Sequence, residues 1–248
     1  MRSITLAILF LASAAFATAQ NGSNWNYEGH TGPLVWSKLD PSYAACNHGH
    51  EQSPIDIRGA RLNKALQPIQ FHYVAGPVTI ENTGRGIVVH VDKGSYMIAG
   101  GVRYELVEYE FHHPSEHSVR GKLTDMEVDL VHKSADGKLA IVGVRLNEDR
   151  GNPNATMATL WPHLPTRSGT SNRVTDMIDA GGLIPADPGY WTYTGSELTP
   201  PCTEGVQWFV YEQSIDASRE QIRAFTALFK LNTRAVQDVH GRKIEANE

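Results

Sequence analysis

Long apolar stretches are missing from this sequence of 248 residues. No segment approaches the ~20 consecutive apolar residues that a membrane-spanning helix requires. Acidic residues outnumber basic ones by 27 to 22, so no broad cationic surface is available for phosphate backbones or anionic lipids. Charged residues make up only 20% of the chain and hydrophobic residues 41%, which excludes a disordered polymer. These features predict a folded protein with no membrane span and no nucleic-acid partner.

Internal repeats, low-complexity tracts and proline-rich or glycine-rich linkers are also absent between residues 25 and 245. A chain of this length can form one all-β or α/β domain. At the amino terminus, Arg2 precedes the apolar residues 4–16, and the small residues 17–19 follow. This order is typical of a secretory signal peptide, and the apolar run is too short to span a bilayer. We predict a signal peptide at 1–19, a single domain at 20–248, and export to the periplasm or the extracellular space.

Cysteine is scarce, since the chain contains only Cys46 and Cys202. An exported protein meets an oxidising environment, in which cysteines pair. We therefore expect one disulfide, and the alternative is two unrelated free thiols.

Local patterns favour β-structure. Short segments rich in β-branched and aromatic residues are separated by Gly, Pro or Asp-Gly turns. A helix is predicted after Ser218, because Ser218 and Gln221 match a capping box and apolar residues then recur at helical spacing. A second short helix is expected at residues 170–179. The predicted strands cover residues 78–82, 86–91, 106–112, 127–133, 139–146 and 206–211.

Histidines suggest a metal site, because the chain has 11 of them and the densest group lies in residues 111–117. Alternate side chains of a strand share a face of the sheet. Glu110 and His112 therefore point to one side and His113 to the other, so His112 and His113 cannot both bind one metal. The next predicted strand carries Asp129. If the two strands are neighbours, Glu110, His112 and Asp129 converge.

A series of motifs in the same order resembles the α-carbonic anhydrases, especially their secreted bacterial members. The resemblance spans nearly the whole of the chain after the leader. The motifs that carry it are Trp25-Asn26-Tyr27-Glu28-Gly29, Gln52-Ser53-Pro54-Ile55-Asp56-Ile57, Asn82-Thr83-Gly84, Pro114-Ser115-Glu116-His117, Leu130-Val131-His132 and Pro200-Pro201-Cys202-Thr203-Glu204-Gly205-Val206 with Trp208.

The resemblance implies a mainly β fold: a single domain around a central, mostly antiparallel twisted sheet of about ten strands, with short peripheral helices. It also implies a zinc cofactor on three histidines, hydration of carbon dioxide to bicarbonate, a small-molecule substrate in a cone-shaped pocket, and a disulfide between Cys46 and Cys202. Of the three zinc-ligand positions, only His112 is a histidine. The other two are Glu110 and Asp129, so this metal site departs from the family pattern.

Other positions that match the family's catalytic site depart as well. The proton-shuttle histidine corresponds to Arg85, and the threonine that orients the attacking hydroxide corresponds to Leu198, which Thr199 follows. A hydrophobic residue of the pocket wall corresponds to Glu197, and the glutamine that braces the first ligand corresponds to Glu108. One interpretation is that Arg85 pairs with Glu108 or Glu197 and leaves a charge-balanced, inert pocket.

Several matching positions are kept. Glu116 matches the acid that accepts a hydrogen bond from the orienting threonine, and Glu127 matches the acid behind the third ligand. The remaining apolar wall of the pocket matches Val131, Ile141 and Trp208. Two further histidines, which match family positions that hydrogen-bond within the core, are His117 and His132.

The ligand set decides the functional expectation. Two carboxylates cancel the charge of a divalent ion and weaken its effect on the pKa of a bound water. The main interpretation is an exported family member with weak or lost carbon dioxide hydration. Its pocket at Glu110, His112 and Asp129 would serve another divalent metal, such as Mn²⁺, Mg²⁺, Ca²⁺ or Fe²⁺, a cationic substrate, or acid/base chemistry. The alternatives are a functional zinc carbonic anhydrase with an unusual ligand set and a non-catalytic pseudoenzyme.

Overall fold

The computed structural model describes residues 24–149 and 154–248. The predicted signal peptide at 1–19 lies outside the described residues. Within them the α-helices are α1 (Trp36–Leu39), α2 (Ala45–His48), α3 (Ala155–Leu160) and α4 (Arg219–Leu228). Short 3-10 helices span Gly29–Thr31, Pro33–Val35, Pro41–Tyr43, Trp161–His163 and Ala180–Leu183. No helix in this described part is long and apolar enough to cross a membrane.

Strands make up most of the regular structure. In chain order they are β1 (Asp56–Ile57), β2 (Arg61–Leu62), β3 (Gln70–His72), β4 (Gly76–Asn82), β5 (Ile87–Val91), β6 (Tyr96–Ala99), β7 (Val102–His112), β8 (Ser118–Val119), β9 (Met126–Ser134), β10 (Leu139–Asp149), β11 (Thr170–Ile178), β12 (Tyr190–Ser196), β13 (Glu204–Tyr211), β14 (Ile215–Ser218) and β15 (Glu245–Ala246). The six strands predicted from sequence are confirmed.

One large twisted sheet organises the chain in the order β11-β4-β5-β7-β9-β10-β13-β12-β15-β2, and β3, β6 and β14 pair beside this path. Most neighbours are antiparallel. The parallel exceptions are β10 with β13, β10 with β14, and β15 with β2. β1 and β8 form a separate parallel pair. The mainly β, mostly antiparallel fold expected from the motifs is confirmed.

The sheet separates two apolar clusters because its side chains alternate between faces. On one side Tyr109, Phe111 and Val142 are fully buried in the main core. On the other side Ile141 and Trp208 belong to a second cluster. The strand residues that lie between the members of the main core therefore point toward this second cluster, and the predicted metal ligands are among them.

The helix predicted after Ser218 is α4, and its capping box is present as expected: Ser218 accepts from the Gln221 backbone while the Gln221 side chain accepts from the Ser218 backbone. The helix expected at residues 170–179 is wrong, because Thr170–Ile178 is β11. Its buried residues Val174 and Ile178 are four apart, as in a helix. The spacing arises from a register shift between them in the pairing with β4. A helical turn follows only at Ala180–Leu183.

The two cysteines form a disulfide with an S–S distance of 2.07 Å across a sequence separation of 156. Both are buried beside Trp36 and Tyr27 in a third apolar cluster. The bond ties the amino-terminal helices to the loop that precedes β13. The expected pairing is thus present.

Candidate active site

The candidate site lies where β7 and β9 run side by side. They pair antiparallel, with Glu110 opposite Asp129 and His112 opposite Glu127. Strand alternation then places Glu110, His112 and Asp129 on one face, as the sequence predicts for neighbouring strands. His112 and Asp129 are each 2% exposed, whereas the side chain of Glu110 is 31% exposed. A buried pair and one more accessible carboxylate therefore meet on one face of the sheet, and Glu110 and His112 line a cavity there.

His112 is held in one tautomer. Its Nδ1 lies 3.1 Å from the carbonyl oxygen of Asn232, which can only accept, so Nδ1 donates. Burial is the main cause that lowers the pKa of His112, so the ring is neutral and Nε2 carries a lone pair. Nε2 lies 3.4 Å from Asp129 Oδ2 and 3.8 Å from Glu110 Oε2. Nε2 has no hydrogen-bond partner among the described residues.

Asp129 carries the most exceptional carboxyl group of the site. Neither of its oxygens accepts a hydrogen bond from a donor among the described residues. Burial raises the pKa of Asp129 well above its usual value, and the negative charges of Glu127 and Glu116 raise it further. Burial and then the charge of Glu108 raise the pKa of Glu110 to about 7. The pocket floor therefore needs a cation or a proton to balance its carboxylates.

The pKa of Glu127 shifts in the opposite direction, because His117 forms hydrogen bonds with its carboxylate. His117 donates from its backbone N to Glu127 Oε2 at 2.9 Å, and its Nδ1 lies 2.6 Å from Oε1. Burial alone would raise the pKa of Glu127, but the charge and hydrogen bonds of His117 outweigh it and lower the pKa. The His117 Nε2 lies 2.7 Å from the hydroxyl of Tyr193, which contacts Ser53 Oγ at 2.9 Å. His117 is thus a core residue.

Leu198 and Glu116 are the residues that the resemblance predicts at the positions of the family's threonine and its acceptor. Glu116 is 1% exposed, and its carboxylate accepts from the backbone N of Arg234 at 3.1 Å. Burial and the charge of Glu127 raise its pKa well above the usual value. Leu198 is 7% exposed and packs in the second apolar cluster. Thr199 lines the same cavity as Glu110 and His112.

Arg85 does not pair with Glu108 or Glu197, so the charge-balanced interpretation is wrong. Its guanidinium lies over the ring of Trp25, 4.2 Å from the centroid, and makes no ion pair with any described residue. Glu108 instead contacts Nδ1 of His90 at 3.0 Å, and Glu197 accepts from the backbone N of Thr203 at 3.3 Å.

Several contributors were missed by sequence reasoning. Asn232 holds His112 by its carbonyl and donates its side-chain amide to Phe111 O at 2.9 Å. Arg234 supplies the backbone N that contacts Glu116. His90 bridges Glu108 to Glu81 at 3.0 Å on each side. Nothing in the local sequence identifies Asn232 or Arg234, because their partners lie more than 100 positions away.

The apolar wall is assembled by strand pairing. Ile141 lies opposite Val131 on β9 and opposite Trp208 on β13, so the three side chains are neighbours across β9, β10 and β13. A cavity of about 180 Å³ opens above Glu110 and His112, with Trp25 and Arg85 at its side. Val131, Ile141 and Trp208 do not line this cavity, whose lining includes Glu110, His112 and the cation Arg85.

Comparisons with known proteins show the family of this chain. Residues 31–248 match the family model of the eukaryotic-type carbonic anhydrases. The chain belongs to the α-carbonic anhydrase family. A carbonic anhydrase of Nostoc sp. is 38% identical over 226 residues, which are 89% of this chain and 85% of that one. Dioscorin DB3L of Dioscorea polystachya is 34% identical and covers 90% of this chain and 86% of its own. The α-carbonic anhydrase of Thermovibrio ammonificans, solved with the inhibitor sulfanilamide, has a TM-score of 0.87, 35% identity, and coverage of 90% and 99%.

The family implies a zinc ion. The distances between the candidate ligand atoms of Glu110, His112 and Asp129 show how well they suit it. Tetrahedral coordination with bonds of about 2.0–2.2 Å places donor atoms about 3.4 Å apart. His112 Nε2 and Asp129 Oδ2 have that spacing at 3.4 Å, whereas Glu110 Oε2 is farther from Nε2 at 3.8 Å. Within residues 24–149 and 154–248, no group of three or more His, Cys, Asp or Glu side chains forms a ready-made metal site. Two of the three donors, His112 and Asp129, are thus spaced as a divalent cation requires, and the set is not the neutral three-histidine set.

Proposed function

We propose that this α-carbonic anhydrase family protein binds a divalent cation through Glu110, His112 and Asp129 and that it hydrates carbon dioxide poorly. The observation that carries the proposal is the buried Nε2 of His112, which lacks a partner among the described residues and lies 3.4 Å from Asp129 Oδ2. A lone pair and a carboxylate at this distance are favourable only with a cation or a proton between them.

The charge of the donors supports a metal that accepts oxygen ligands. A site of two carboxylates and one imidazole suits Mn²⁺ or Fe²⁺, whereas soft ligands such as thiolates do not. Zinc also accepts carboxylate oxygen. A bound cation would supply electrostatic stabilisation of nearby negative charge and acidify a water molecule. Compensation by the two carboxylates weakens that acidification, because less positive charge remains to act on the water.

Leu198 supports the loss of efficient hydration. The family's threonine at this position orients the attacking group with its hydroxyl, and a leucine side chain can donate no hydrogen bond. Glu116, the corresponding acceptor, is instead contacted by the backbone N of Arg234. The carboxylate of Glu116 therefore cannot accept a hydrogen bond from the side chain of Leu198, as it would from a threonine.

Proton removal is also impaired by Arg85. A guanidinium remains charged at physiological pH, so it cannot accept and release protons as an imidazole does. Its position over Trp25 fixes this cation at the side of the cavity. By contrast, Val131, Ile141 and Trp208 keep the apolar character that the resemblance predicts for these positions, and they are neighbours across β9, β10 and β13.

Export forms part of the proposal. Residues 1–19 have the pattern of a signal peptide, and the disulfide between Cys46 and Cys202 suits an oxidising compartment. Amino-terminal sequencing of protein from the periplasm or medium is expected to begin at Gln20. Recovery only in the cytoplasm with Met1 retained would contradict it.

Isothermal titration calorimetry tests the cation site. The purified protein, stripped with EDTA, is titrated separately with MnCl₂, ZnCl₂, CaCl₂ and MgCl₂. We expect one site per chain for at least manganese or zinc, and a loss of affinity of about 10-fold or more in His112→Gln and in Asp129→Asn. His163→Gln is the matched control, since His163 is a partly exposed histidine paired with Asp176.

Two results would overturn the proposal. One is the absence of binding by all four metals, which would leave a proton as the balancing charge on Asp129. The other is unchanged binding in both variants, which would place the cation elsewhere. The metal-free outcome would fit the pKa of Asp129, which burial and the charges of Glu127 and Glu116 raise well above its usual value.

A further inference from the structure

The cavity above Glu110 contains a cation that the proposed metal site does not use. Arg85 lines this cavity together with Glu110, yet the two side chains form no ion pair. The guanidinium of Arg85 lies 4.2 Å from the ring centroid of Trp25, and Trp25 lines the same cavity. Since both members of this stack belong to the cavity wall, the guanidinium lies beside the open space. Its N–H donors have no acceptor among the described residues.

The turn between β4 and β5 fixes the backbone of Arg85. The hydroxyl of Thr83 accepts from the backbone N of Arg85 at 3.2 Å and from the backbone N of Gly86 at 3.1 Å. Gly84 completes the turn with a φ of +82°, in the left-handed region that favours glycine. Arg85 is therefore anchored by the turn at its backbone and by Trp25 at the end of its side chain.

Trp25 is itself held in place by other aromatic rings. Its ring centroid lies 5.3 Å from that of Trp36 and 5.4 Å from that of Tyr27, and both contacts are edge-to-face. A guanidinium stacked on an indole ring gains a cation–π attraction, and the N–H groups at its edge stay available. Those donors form a planar fork whose geometry matches the two oxygens of a carboxylate. Arg85 is therefore a preorganised donor for a carboxylate.

Arg85 acts electrostatically on the same part of the site as the candidate metal ligands. Burial raises the pKa of Tyr27 well above its usual value, and the charges of Glu116, Glu110 and Asp129 raise it further, whereas the charge of Arg85 lowers it. One buried hydroxyl thus responds both to the guanidinium and to the carboxyl groups of the metal site. The two kinds of charge are close enough to act together on one ligand.

Charge balance favours an anion in the cavity once a cation is bound. The carboxylates of Glu110 and Asp129 compensate a divalent ion, so the positive charge of Arg85 is left without a counter-ion. Other carboxylates around the site are engaged elsewhere: Glu108 contacts His90, Glu127 contacts His117, and Glu197 accepts from Thr203. Without the cation, the carboxylates of the site would repel an anion. An anionic ligand should therefore bind only to the metal-loaded protein.

We propose that Arg85 binds the carboxylate of a small organic acid, which enters the cavity after the cation. The inference rests on the proposed cation site and adds the chemical class of its ligand. The cavity volume of about 180 Å³ is close to the ~150 Å³ of an apolar cavity that holds benzene. An acid of the size of butyrate therefore fits. Arg85 is then a specificity-determining residue, at the position where the resemblance implies a proton carrier.

Isothermal titration calorimetry with sodium butyrate tests the inference. Butyramide is the matched control ligand, because it has nearly the same shape and no charge. The protein is first saturated with a divalent metal that binds at one per chain, and the EDTA-stripped protein is titrated in parallel at the same ionic strength. We expect saturable binding of butyrate to the metal-loaded protein, at least tenfold weaker binding of butyramide, and no measurable binding of butyrate to the stripped protein.

The variant Arg85→Gln separates the role of the guanidinium from that of the metal. It should bind butyrate at least tenfold more weakly, because a charge-assisted pair of hydrogen bonds is lost, and it should keep its affinity for the metal. The matched control is Arg223→Gln, since Arg223 is an exposed arginine of α4 that does not line the cavity. It should bind butyrate like the wild type. Circular dichroism checks that both variants are folded.

The outcomes separate this inference from the proposed function. Metal binding without saturable binding of butyrate would overturn the inference alone. Equal affinity for butyrate and butyramide, or unchanged affinity in Arg85→Gln, would overturn it as well, since the carboxylate would then lie away from the guanidinium. Equal binding of butyrate to the stripped protein would contradict the dependence on the cation and overturn it too. If no metal binds, the proposed function fails first and the inference fails with it.

Discussion

His112 Nε2 and Asp129 Oδ2 lie 3.4 Å apart across β7 and β9, and neither atom has a hydrogen-bond partner among the described residues. Such a pair is expensive without a third group, because both atoms are desolvated acceptors. If Asp129 stands where the family has a histidine, as the resemblance predicts, a neutral metal ligand has been replaced by a charge that must be balanced. This relationship leads to the first prediction.

Asp129→Asn should stabilise the metal-free protein at pH 8 and weaken cation binding. Folding raises the pKa of Asp129, so the protonated side chain stabilises the folded state. This contribution is fully present below the unfolded pKa of about 3.9 and is lost as the pH rises through the folded pKa. Asparagine carries no charge to desolvate and can donate to His112 Nε2. We expect a midpoint of thermal unfolding in EDTA that is higher by about 2–4 °C, which corresponds to about 1 kcal/mol.

The matched control for this prediction is Asp176→Asn, because Asp176 has a side chain 61% exposed. It should leave both the midpoint and the cation affinity unchanged. A metal-free Asp129→Asn protein that unfolds below the wild type would show that Asp129 is already satisfied without a metal.

The triple variant Glu110→His, Asp129→His, Leu198→Thr should gain carbon dioxide hydration. It restores three neutral donors and a hydroxyl beside Glu116, while the apolar wall is unchanged. We expect the zinc-loaded variant to exceed the zinc-loaded wild type by about 100-fold in a stopped-flow assay. High buffer concentration is needed because Arg85 cannot move protons. Leu198→Thr alone is the control and should stay near the wild-type rate, and a triple variant no faster than it would count against the ligand argument.

His132 should make stability dependent on acidic pH. Burial lowers the pKa of His132 to about 4, and Tyr73 contacts its Nε2 at 2.7 Å. Between about pH 6.5 and the folded value the unfolded chain binds the extra proton, so the free energy of unfolding falls as the pH falls. At about 1.4 kcal/mol per pH unit, the total loss is about 3 kcal/mol.

Urea titrations at a series of pH values measure this dependence. His132→Gln is expected to flatten the curve between about pH 4 and 6.5, whereas His163→Gln, at an exposed site, should retain the wild-type slope. Parallel curves for wild type and His132→Gln would mean that other groups cause the acid lability.

Removing the disulfide should destabilise the protein substantially. Cys46 and Cys202 close a loop across 156 positions, and both lie in the apolar cluster of Trp36. We expect Cys46→Ala with Cys202→Ala to lower the free energy of unfolding by about 2–5 kcal/mol, since the unfolded chain regains the entropy of the open loop. Urea unfolding monitored by tryptophan fluorescence measures it. A loss of less than about 1 kcal/mol would mean that packing alone holds the amino-terminal segment.

The sequence made the convergence of Glu110, His112 and Asp129 predictable, because period-two alternation fixes which side chains share a face of neighbouring strands. The capping box of α4 was predictable for another reason, because the signal of a capping box is local in the sequence. The strand Thr170–Ile178 lacks the alternating burial of a regular strand, because a register shift places its buried residues Val174 and Ile178 four positions apart. A local pattern cannot reveal a shift that depends on a partner strand.

Contacts made by distant segments were equally hidden. Asn232 reaches His112 only because the chain after α4 returns to β7, 120 positions away. The position of Arg85 over Trp25 was missed because opposite charges at Glu108 and Glu197 suggested closer partners. Those two carboxylates were already engaged by His90 and Thr203. Competition among partners is a property of the folded chain and has no signature in the sequence.

The most direct test of the central claim is a stopped-flow measurement of carbon dioxide hydration by the wild-type protein, with zinc content determined on the same sample. We predict zinc or another divalent metal at close to one per chain after loading, with hydration near the buffer background. Rapid hydration at full zinc occupancy would contradict the account, because it would show that one histidine and two carboxylates suffice for the family's reaction.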